Sequence, residues 1–459
     1  MNNRVFDELM TIAGWPIKLG EQVKIFGQDP VLRTRFRIGE MAAGVHAACG
    51  VAVSNIWELR TGHRQQVEVN VQAGAASLQS NRYITIDGSP PTPSSGFTIE
   101  FHLTRDGRWF LVHAAYASPR LHEGVLSFLG CDDNDESVAD AVSHWEAETI
   151  EDAFADVGIC GGIARSAEEW ATHPQGITLK NLPVLEVIKI GESPPEPFGA
   201  GDRPLSGIRV LDLTIVLAGP TCARTLAEHG ADVLRLAQSD VGFTIDTGHG
   251  KRAAHLDLHQ DSQSKTLWKL IRDADVFAQN YRLGAVANLG FSPEALAKVR
   301  PGIVYTSMNC YGHEGPWRGR RGFETNADAV TGLSKEQGEP GKPQRLPATV
   351  SDYTTGYLAA FGTLVALSRR AREGGSYLVR ASLTQSAMLL NRLGRVAEAE
   401  AAAKDVLLAP EEISRLTMES DTPFGRITHL APVVKLSETP TRWSLPTAPI
   451  GLHEPVWLD

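Results

Sequence analysis

Apolar and polar positions follow two regimes along the chain, and the change falls at "GESPPEPFGAGDRPLSG" (191–207), where Pro, Gly and charge interrupt any periodicity. Such a stretch predicts a linker between two units. Beyond it, short apolar runs alternate with amphipathic ones. "GIRVLDL" (207–213), "ADVLRLA" (231–237), "DVFAQNY" (275–281) and "GIVYTSMN" (302–309) read as strands. "GPTCARTLAEHG" (219–230), "SQSKTLWKLIRDA" (262–274) and "SPEALAKVR" (292–300) read as the helices between them. Continuous apolar strands separated by helices predict a mostly parallel sheet covered on its faces by helices. Ahead of the linker, "GRWFLVHAAY" (107–116) reads as a strand opened by the Asp106-Gly107 turn, and "EAETIEDAFADVG" (146–158) as a helix. "SAEEWATH" (166–173) reads as a second helix, with Ser166 as N-cap and Glu169 completing a capping box.

One pattern is written twice. "GVHAACGVAVSNIWELRTGHRQQVEVNV" (44–71) aligns without a gap on "GYLAAFGTLVALSRRAREGGSYLVRASL" (356–383), pairing Gly44 with Gly356, Gly50 with Gly362, Arg60 with Arg372, Gly62 with Gly374 and Val67 with Val379. Each copy reads as a small-residue helix, a Gly turn and an alternating strand. Internal duplication is the expectation, because the identities fall at both turn and helix-packing positions.

Composition narrows the class. The 459 residues can bury substantial cores, and a hydrophobic content of 42% with 21% charge is ordinary for a globular protein. A net charge of -10 argues against general nucleic-acid binding. The five cysteines lack any CxxC spacing, so neither a disulfide framework nor a zinc cluster is expected. No apolar run approaches a membrane span, and "MNNRVFDELM" lacks a basic-then-apolar leader. The expectation is a cytoplasmic protein with no membrane partner. No GxGxxG follows 207–213, so a dinucleotide redox cofactor has no fingerprint.

Specific motifs then point to a family. "LSGIRVLDLTIVLAGPTCARTLAEHGADVLRL" (205–236) resembles the opening of family III CoA-transferases, the family of formyl-CoA transferase, carnitine CoA-transferase and α-methylacyl-CoA racemase. "DVFAQNYRLGAVANLGFSPEALAKVRPGIVYTSMNCYGHEGPW" (275–317), "GFETNADAVTGL" (322–333) and "LPATVSDYTTGYLAAFGTLVALSRRAREGGSYLVRASLTQS" (346–386) resemble successive parts of the same family. "LSETPTRWSLPTAPIGLHEPVWL" (436–458) is similar to its C-terminal tail. The first half resembles the family out of order. This implies a partial large-domain-like copy over 1–84, a small domain over 85–198, the Rossmann-like CoA-binding large domain over 199–400, and a C-terminal helix and extended tail over 401–459. The implied fold is α/β, a Rossmann-like open and mostly parallel sheet with a smaller α+β domain. The implied partners are acyl-CoA and a carboxylic acid, the implied assembly an interlocked homodimer, and no prosthetic group is expected.

The resemblance also implies roles. Glu324 falls where the family carries an Asp that attacks the acyl-CoA thioester, forming a mixed anhydride and then an enzyme–CoA thioester. A carboxylate suits that task because it is already a nucleophile at neutral pH. A plain alternative is a Glu held by the amides of a helix start. Asp328, four residues on, shares its helix face and reads as a hydrogen-bonded side chain, with the working carboxylate as its alternative. A racemase would place His before the carboxylate, where Phe323 stands; His313 in "YGHEGP" is the nearby candidate base, or an ordinary loop histidine. Val216, Leu217 and Ala218 are implied to lie beside CoA in a loop feeding a helix, where free N–H groups favour an anion. Arg282 is implied as a phosphate or active-site contact, and Lys251 and Arg252 in "GHGKR" as CoA phosphate ligands. The leading reading is an acyl-CoA:carboxylate CoA-transferase. The others are an acyl-CoA racemase or isomerase and a degenerate CoA-binding paralogue without turnover.

Overall fold

The computed structural model describes residues 3–16, 22–91, 97–114, 119–240, 242–338 and 341–458. Seven strands form the main sheet. In chain order they are β1 (Leu185–Gly191), β2 (Arg209–Asp212), β3 (Asp232–Ala237), β4 (Lys251–His255), β5 (Val276–Gln279), β6 (Val304–Asn309) and β7 (Ser376–Ser382). Their order across the sheet is β4-β3-β2-β5-β6-β7-β1, parallel throughout except for the antiparallel edge strand β1. Strand order reverses between β2 and β5, which makes a doubly wound α/β sheet whose ligand crevice is expected beyond the carboxyl ends of those two strands. The strands are buried on both faces, which is why they read as apolar runs rather than alternating ones.

Two strands differ from the sequence expectation. β1 lies inside the 85–198 segment yet completes the large sheet, and β4 begins at Lys251 and Arg252, the two residues expected to meet the CoA phosphates. The small unit is an antiparallel sheet of Ile99–Leu103, Trp109–His113 and Cys160–Ile163, backed by helices that include Ala147–Val157. Positions 115–116 of the expected strand lie outside the described residues. The capping box at Ser166 is present: Glu169 N–H donates to Ser166 Oγ at 3.2 Å, and Ser166 N–H to Glu169 Oε2 at 2.6 Å. The C-terminal region carries a hairpin, Thr417–Thr422 with Gly425–Leu430, in addition to short helices and an extended tail.

The duplication is structural. Helices Ile38–Thr61 and Val350–Glu373 each have 24 residues, and their bounds differ by 312 at both ends (350 less 38, 373 less 61). A Cβ on Gly50 would approach Val67 Cγ1 to 2.5 Å, and one on Gly362 would approach Val379 Cγ1 to 2.7 Å, so each helix crosses its own strand at an equivalent glycine. Val67–Asn70 has a parallel neighbour, Val23–Phe26, and an antiparallel one, Lys435–Leu436. β7 has the parallel neighbour β6 and the antiparallel neighbour β1. The two long helices pack on each other, with Arg372 Nη2 donating to Asn55 Oδ1 at 3.2 Å.

Candidate active site

A cavity of about 430 Å³ opens at the β2/β5 switch point. Its wall is built by the loops that leave β2, β5 and β6. After β2 the chain turns sharply at Val216, whose φ of 63° is in the left-handed region. A β-branched residue there is strained by about 1–3 kcal/mol, and such strain persists only where neighbours hold it. Asn280 supplies the hold: Ile215 N–H donates to Asn280 Oδ1 at 2.8 Å, and Asn280 Nδ2 donates to Ile215 O at 2.7 Å. Asn280 carries no family-independent signature in the sequence; the signal that could have found it is its place at the end of an apolar strand.

Val216, Ala218 and Arg282 all line this cavity, together with Tyr281, Arg320 and Phe323. Leu217 does not line it; it is fully buried in the main core. The side chain of Arg282 is exposed at the rim. On the expectation that Arg282 meets a CoA phosphate at this rim, Arg282→Ala weakens CoA binding about 10- to 100-fold, the worth of a charge-assisted hydrogen bond of ~1.5–3 kcal/mol. Calorimetric titration with CoA at two salt concentrations checks this, the loss shrinking at high salt.

Lys251 and Arg252 are elsewhere. Lys251 Nζ donates to Asp212 Oδ2 at 2.7 Å and to Pro220 O at 2.8 Å, and its side chain is 1% exposed. Arg252 grips Asp232 through Nη2, at 3.0 Å to each carboxylate oxygen, and donates from Nη1 to Val456 O. Both cations are consumed inside the fold, tying β4 to β2, β3 and the tail. They are not placed to meet a phosphate in this cavity. His313 is likewise internal: Nε2 meets Ser307 Oγ at 3.0 Å, Ser307 in turn accepts from Gln279, and burial lowers the imidazole pKa to about 3. A neutral histidine in that relay orders the β5 and β6 ends; it does not line the cavity.

Glu324 opens the helix Glu324–Thr331, which is wedged between the small antiparallel sheet and the helix Leu383–Arg392. The wedge is fixed from both directions. Phe323 N–H donates to Asn326 Oδ1 at 2.9 Å, Arg165 N–H donates to Ala329 O at 3.1 Å, and Thr325 Oγ1 meets His113 Nδ1 at 2.7 Å. The His113 ring stacks on Phe323 with centroids 4.4 Å apart. Thus the small unit packs on the start of the Glu324 helix of its own chain, through a histidine that sequence reasoning passed over.

Three carboxylates gather here. Glu324 is 8% exposed with Oε1 unpartnered, Asp328 is 3% exposed, and Asp352 is 8% exposed. Burial, and then the charges of Asp328 and Asp352, hold the Glu324 pKa well above the usual carboxylate range, against the pull of Arg345 and the Ser351 amide. Burial raises Asp328 to about 7 despite the bond it accepts from Ser351 Oγ at 2.7 Å. Asp352 is raised to about 7 by burial. Like charges this close cannot all ionise at neutral pH, so the cluster retains a proton. Asp352 lines the cavity; Glu324 does not, although its chain neighbour Phe323 does.

Residues 205–393 match the model of CoA-transferase family III. Over that stretch the chain is similar to this family of enzymes. It is 29% identical to an acyl-CoA transferase of Gibberella moniliformis, over 94% of this chain and 90% of that protein. It is 33% identical to the acetyl-coenzyme A transferase nodX of Hypoxylon pulicicidum, over 61% of this chain and 52% of the relative. The succinyl-CoA–L-malate CoA-transferase beta subunit of Chloroflexus aurantiacus is 32% identical over 40% of this chain and 50% of its own length. The chain therefore spans most of the first relative and about half of the other two. Among solved structures, Rv3272 of M. tuberculosis is 28% identical over 41% of this chain and 57% of its own, with a TM-score of 0.40. The family match covers the switch-point loops, the Glu324 helix and the long helix that bears Asp352, which are the elements that enclose the cavity. Among the described residues no group of three or more His, Cys, Asp or Glu is placed to hold a metal ion, and no helix is long and apolar enough to cross a membrane.

Proposed function

We propose that this protein is a CoA-transferase that moves CoA from an acyl-CoA donor to a carboxylic-acid acceptor, with Glu324 as the covalent centre. The observation that carries the reading is a buried carboxylate with an unpartnered oxygen, set beside a cavity at the switch point of a family III fold. In this reading CoA enters between the Val216 loop and Arg282, and the thioester is presented past Phe323. Glu324 attacks the thioester carbonyl carbon, giving a mixed anhydride and free CoA; return of CoA gives the Glu324 thioester, from which the acceptor carboxylate takes the CoA. Exclusion of water by the small unit protects the anhydride from hydrolysis.

The racemase reading is not supported. Phe323 occupies the position where an imidazole would be needed, His313 is engaged with Ser307, and the transferase names of the relatives point the same way. A homodimer remains part of the proposal as an assembly of complete sites, since the small unit that packs on the start of the Glu324 helix belongs to the same chain. The test is mass spectrometry of the protein mixed with acyl-CoA and quenched with hydroxylamine. Modification at residue 324 supports the reading, whereas α-carbon deuterium wash-in without CoA exchange, or binding without either, overturns it.

A further inference from the structure

The basic run "RGRRG" (318–322) stands just ahead of Glu324 and has no task in the reading above. It belongs to the loop that leaves β6 and returns to the Glu324 helix. Arg320 and Arg321 line the cavity together with Arg282, whereas Asp352 is the one carboxylate in that wall among the described residues. The wall therefore carries an excess of positive charge, which favours a ligand with more than one anionic group.

The two adjacent arginines are not equivalent. Arg320 donates from Nη2 to Asp152 Oδ1 at 2.6 Å, and its guanidinium lies over the Trp317 ring, 4.3 Å from the centroid. Its charge is answered and its plane is fixed. Arg321 is exposed and donates from Nη1 to Gly158 O at 3.1 Å; among the described residues no carboxylate stands within ion-pair distance of it. Gly158, with φ 75°, is the left-handed residue that closes the helix Ala147–Val157, so the bond ties the guanidinium to the end of a small-unit helix. A neutral carbonyl occupies one of the five N–H donors and leaves the charge unpaired. Held in this way, the guanidinium keeps the pair of parallel N–H groups with which arginine grips a carboxylate.

Position along the ligand decides which anion Arg321 meets. Arg282 follows β5, on the side of the cavity built with the Val216 loop, while Arg321 precedes Phe323 by two residues on the loop after β6. CoA separates its phosphates from its sulfur by the whole pantetheine arm. With the phosphates at Arg282 and the thioester at Phe323, a cation on the Phe323 loop faces the acyl end. Leu121, Met308, Phe323 and Leu383 line the same cavity and offer apolar surface to the methylenes of a short acyl chain.

We propose that Arg321 is a specificity residue that binds the distal carboxylate of a short dicarboxylic acyl group, so that the acid carried by this enzyme bears a second carboxylate at its far end. This inference rests on the reading that acyl-CoA occupies this cavity with its thioester beside Phe323. Arg320, paired with Asp152, shapes the loop and does not take the carboxylate.

The test compares succinyl-CoA with butyryl-CoA, acyl groups of equal carbon count that end in a carboxylate and in a methyl group; glutaryl-CoA and valeryl-CoA form a second pair, one methylene longer. Affinities for these and for free CoA are measured by calorimetry in the Glu324→Gln chain, where turnover is removed, with and without Arg321→Gln or Arg321→Lys. The parent is expected to bind the carboxylate-ended member of at least one pair about 10-fold or more tightly than its partner. Adding Arg321→Gln is expected to weaken that ligand about 10- to 100-fold, the worth of a charge-assisted hydrogen bond. The methyl-ended ligand and CoA should weaken less than about threefold, which also shows that the variant is folded. Arg321→Lys should recover part of the preference, because it keeps the charge and loses the fork. Equal losses for all ligands place the CoA phosphates at Arg321 and overturn the proposal. So does an absence of preference in both pairs, or a preference that survives Arg321→Gln. Hydroxylamine-trapped label at residue 324 of the otherwise wild-type chain is read separately: its absence with every acyl-CoA overturns the covalent role of Glu324, whereas the affinities decide the role of Arg321.

Discussion

Glu324→Gln is expected to abolish covalent labelling and to lower CoA transfer by about 10⁴- to 10⁶-fold, the scale on which removing a nucleophile acts in a covalent mechanism. The substitution is nearly isosteric, and the amide can still hydrogen-bond, so CoA affinity should hold within about threefold of wild type. The reason for so large an effect is chemical: a carboxamide has no carboxyl oxygen to offer the thioester and forms no anhydride. Steady-state transfer rates and CoA titration, measured on the same preparation, check both halves. Glu324→Asp is the sharper companion. It keeps the carboxylate but withdraws it by one methylene, roughly 1 Å, and misplacement on that scale costs about 10²-fold in rate. A rate for Glu324→Gln near wild type would show that another carboxylate does the chemistry.

The second large effect is on stability. Lys251→Met is expected to destabilise the fold by about 3–5 kcal/mol, because it leaves Asp212 buried and without its cation. Asp212 is 0% exposed, and besides Lys251 it holds Thr214 N–H at 3.1 Å, at the start of the Val216 loop. The loss should therefore appear twice, as a lower urea midpoint and as weaker CoA binding through a loosened loop. Burial lowers the Lys251 pKa against the pull of Asp212, so the pair is costly to bury and costly to break. The double substitution Lys251→Met with Asp212→Leu should recover much of the stability, although the Thr214 contact is lost. Equal midpoints for wild type and Lys251→Met in a urea titration would remove this account.

Much of the sheet was legible in order. β2, β3, β5 and β6 and the helices between them fall within one to three residues of the runs that predicted them, because a strand buried on both faces is written as a continuous apolar segment. β4 was hidden by its composition. "KRAAH" begins with two cations, and only the presence of Asp212 and Asp232 on neighbouring strands makes those charges compatible with a buried position. The same fact explains why Lys251 and Arg252 were misplaced as phosphate ligands: basic residues signal an anion, and nothing local says whether that anion is a ligand or an aspartate far along the chain. β1 was hidden by topology, since an edge strand that returns from the small unit carries no mark of the sheet it joins.

The sequence by itself determined the resemblance to family III CoA-transferases, the α/β character, the repeat of a helix and strand, and the candidate carboxylate at 324, since each of these is a local pattern of residue types. Tertiary structure alone decided which acids share one buried space, that Asp352 lines the cavity, that His113 of the small unit packs on the start of the Glu324 helix within one chain, and that two predicted cations are spent on internal pairs. The physical reason is that protonation and nucleophilicity depend on desolvation and on charges a few ångströms away. Apart from Asp328, four residues on, those neighbours come from segments more than twenty residues away, whose meeting with Glu324 is fixed by packing and not by spacing along the chain.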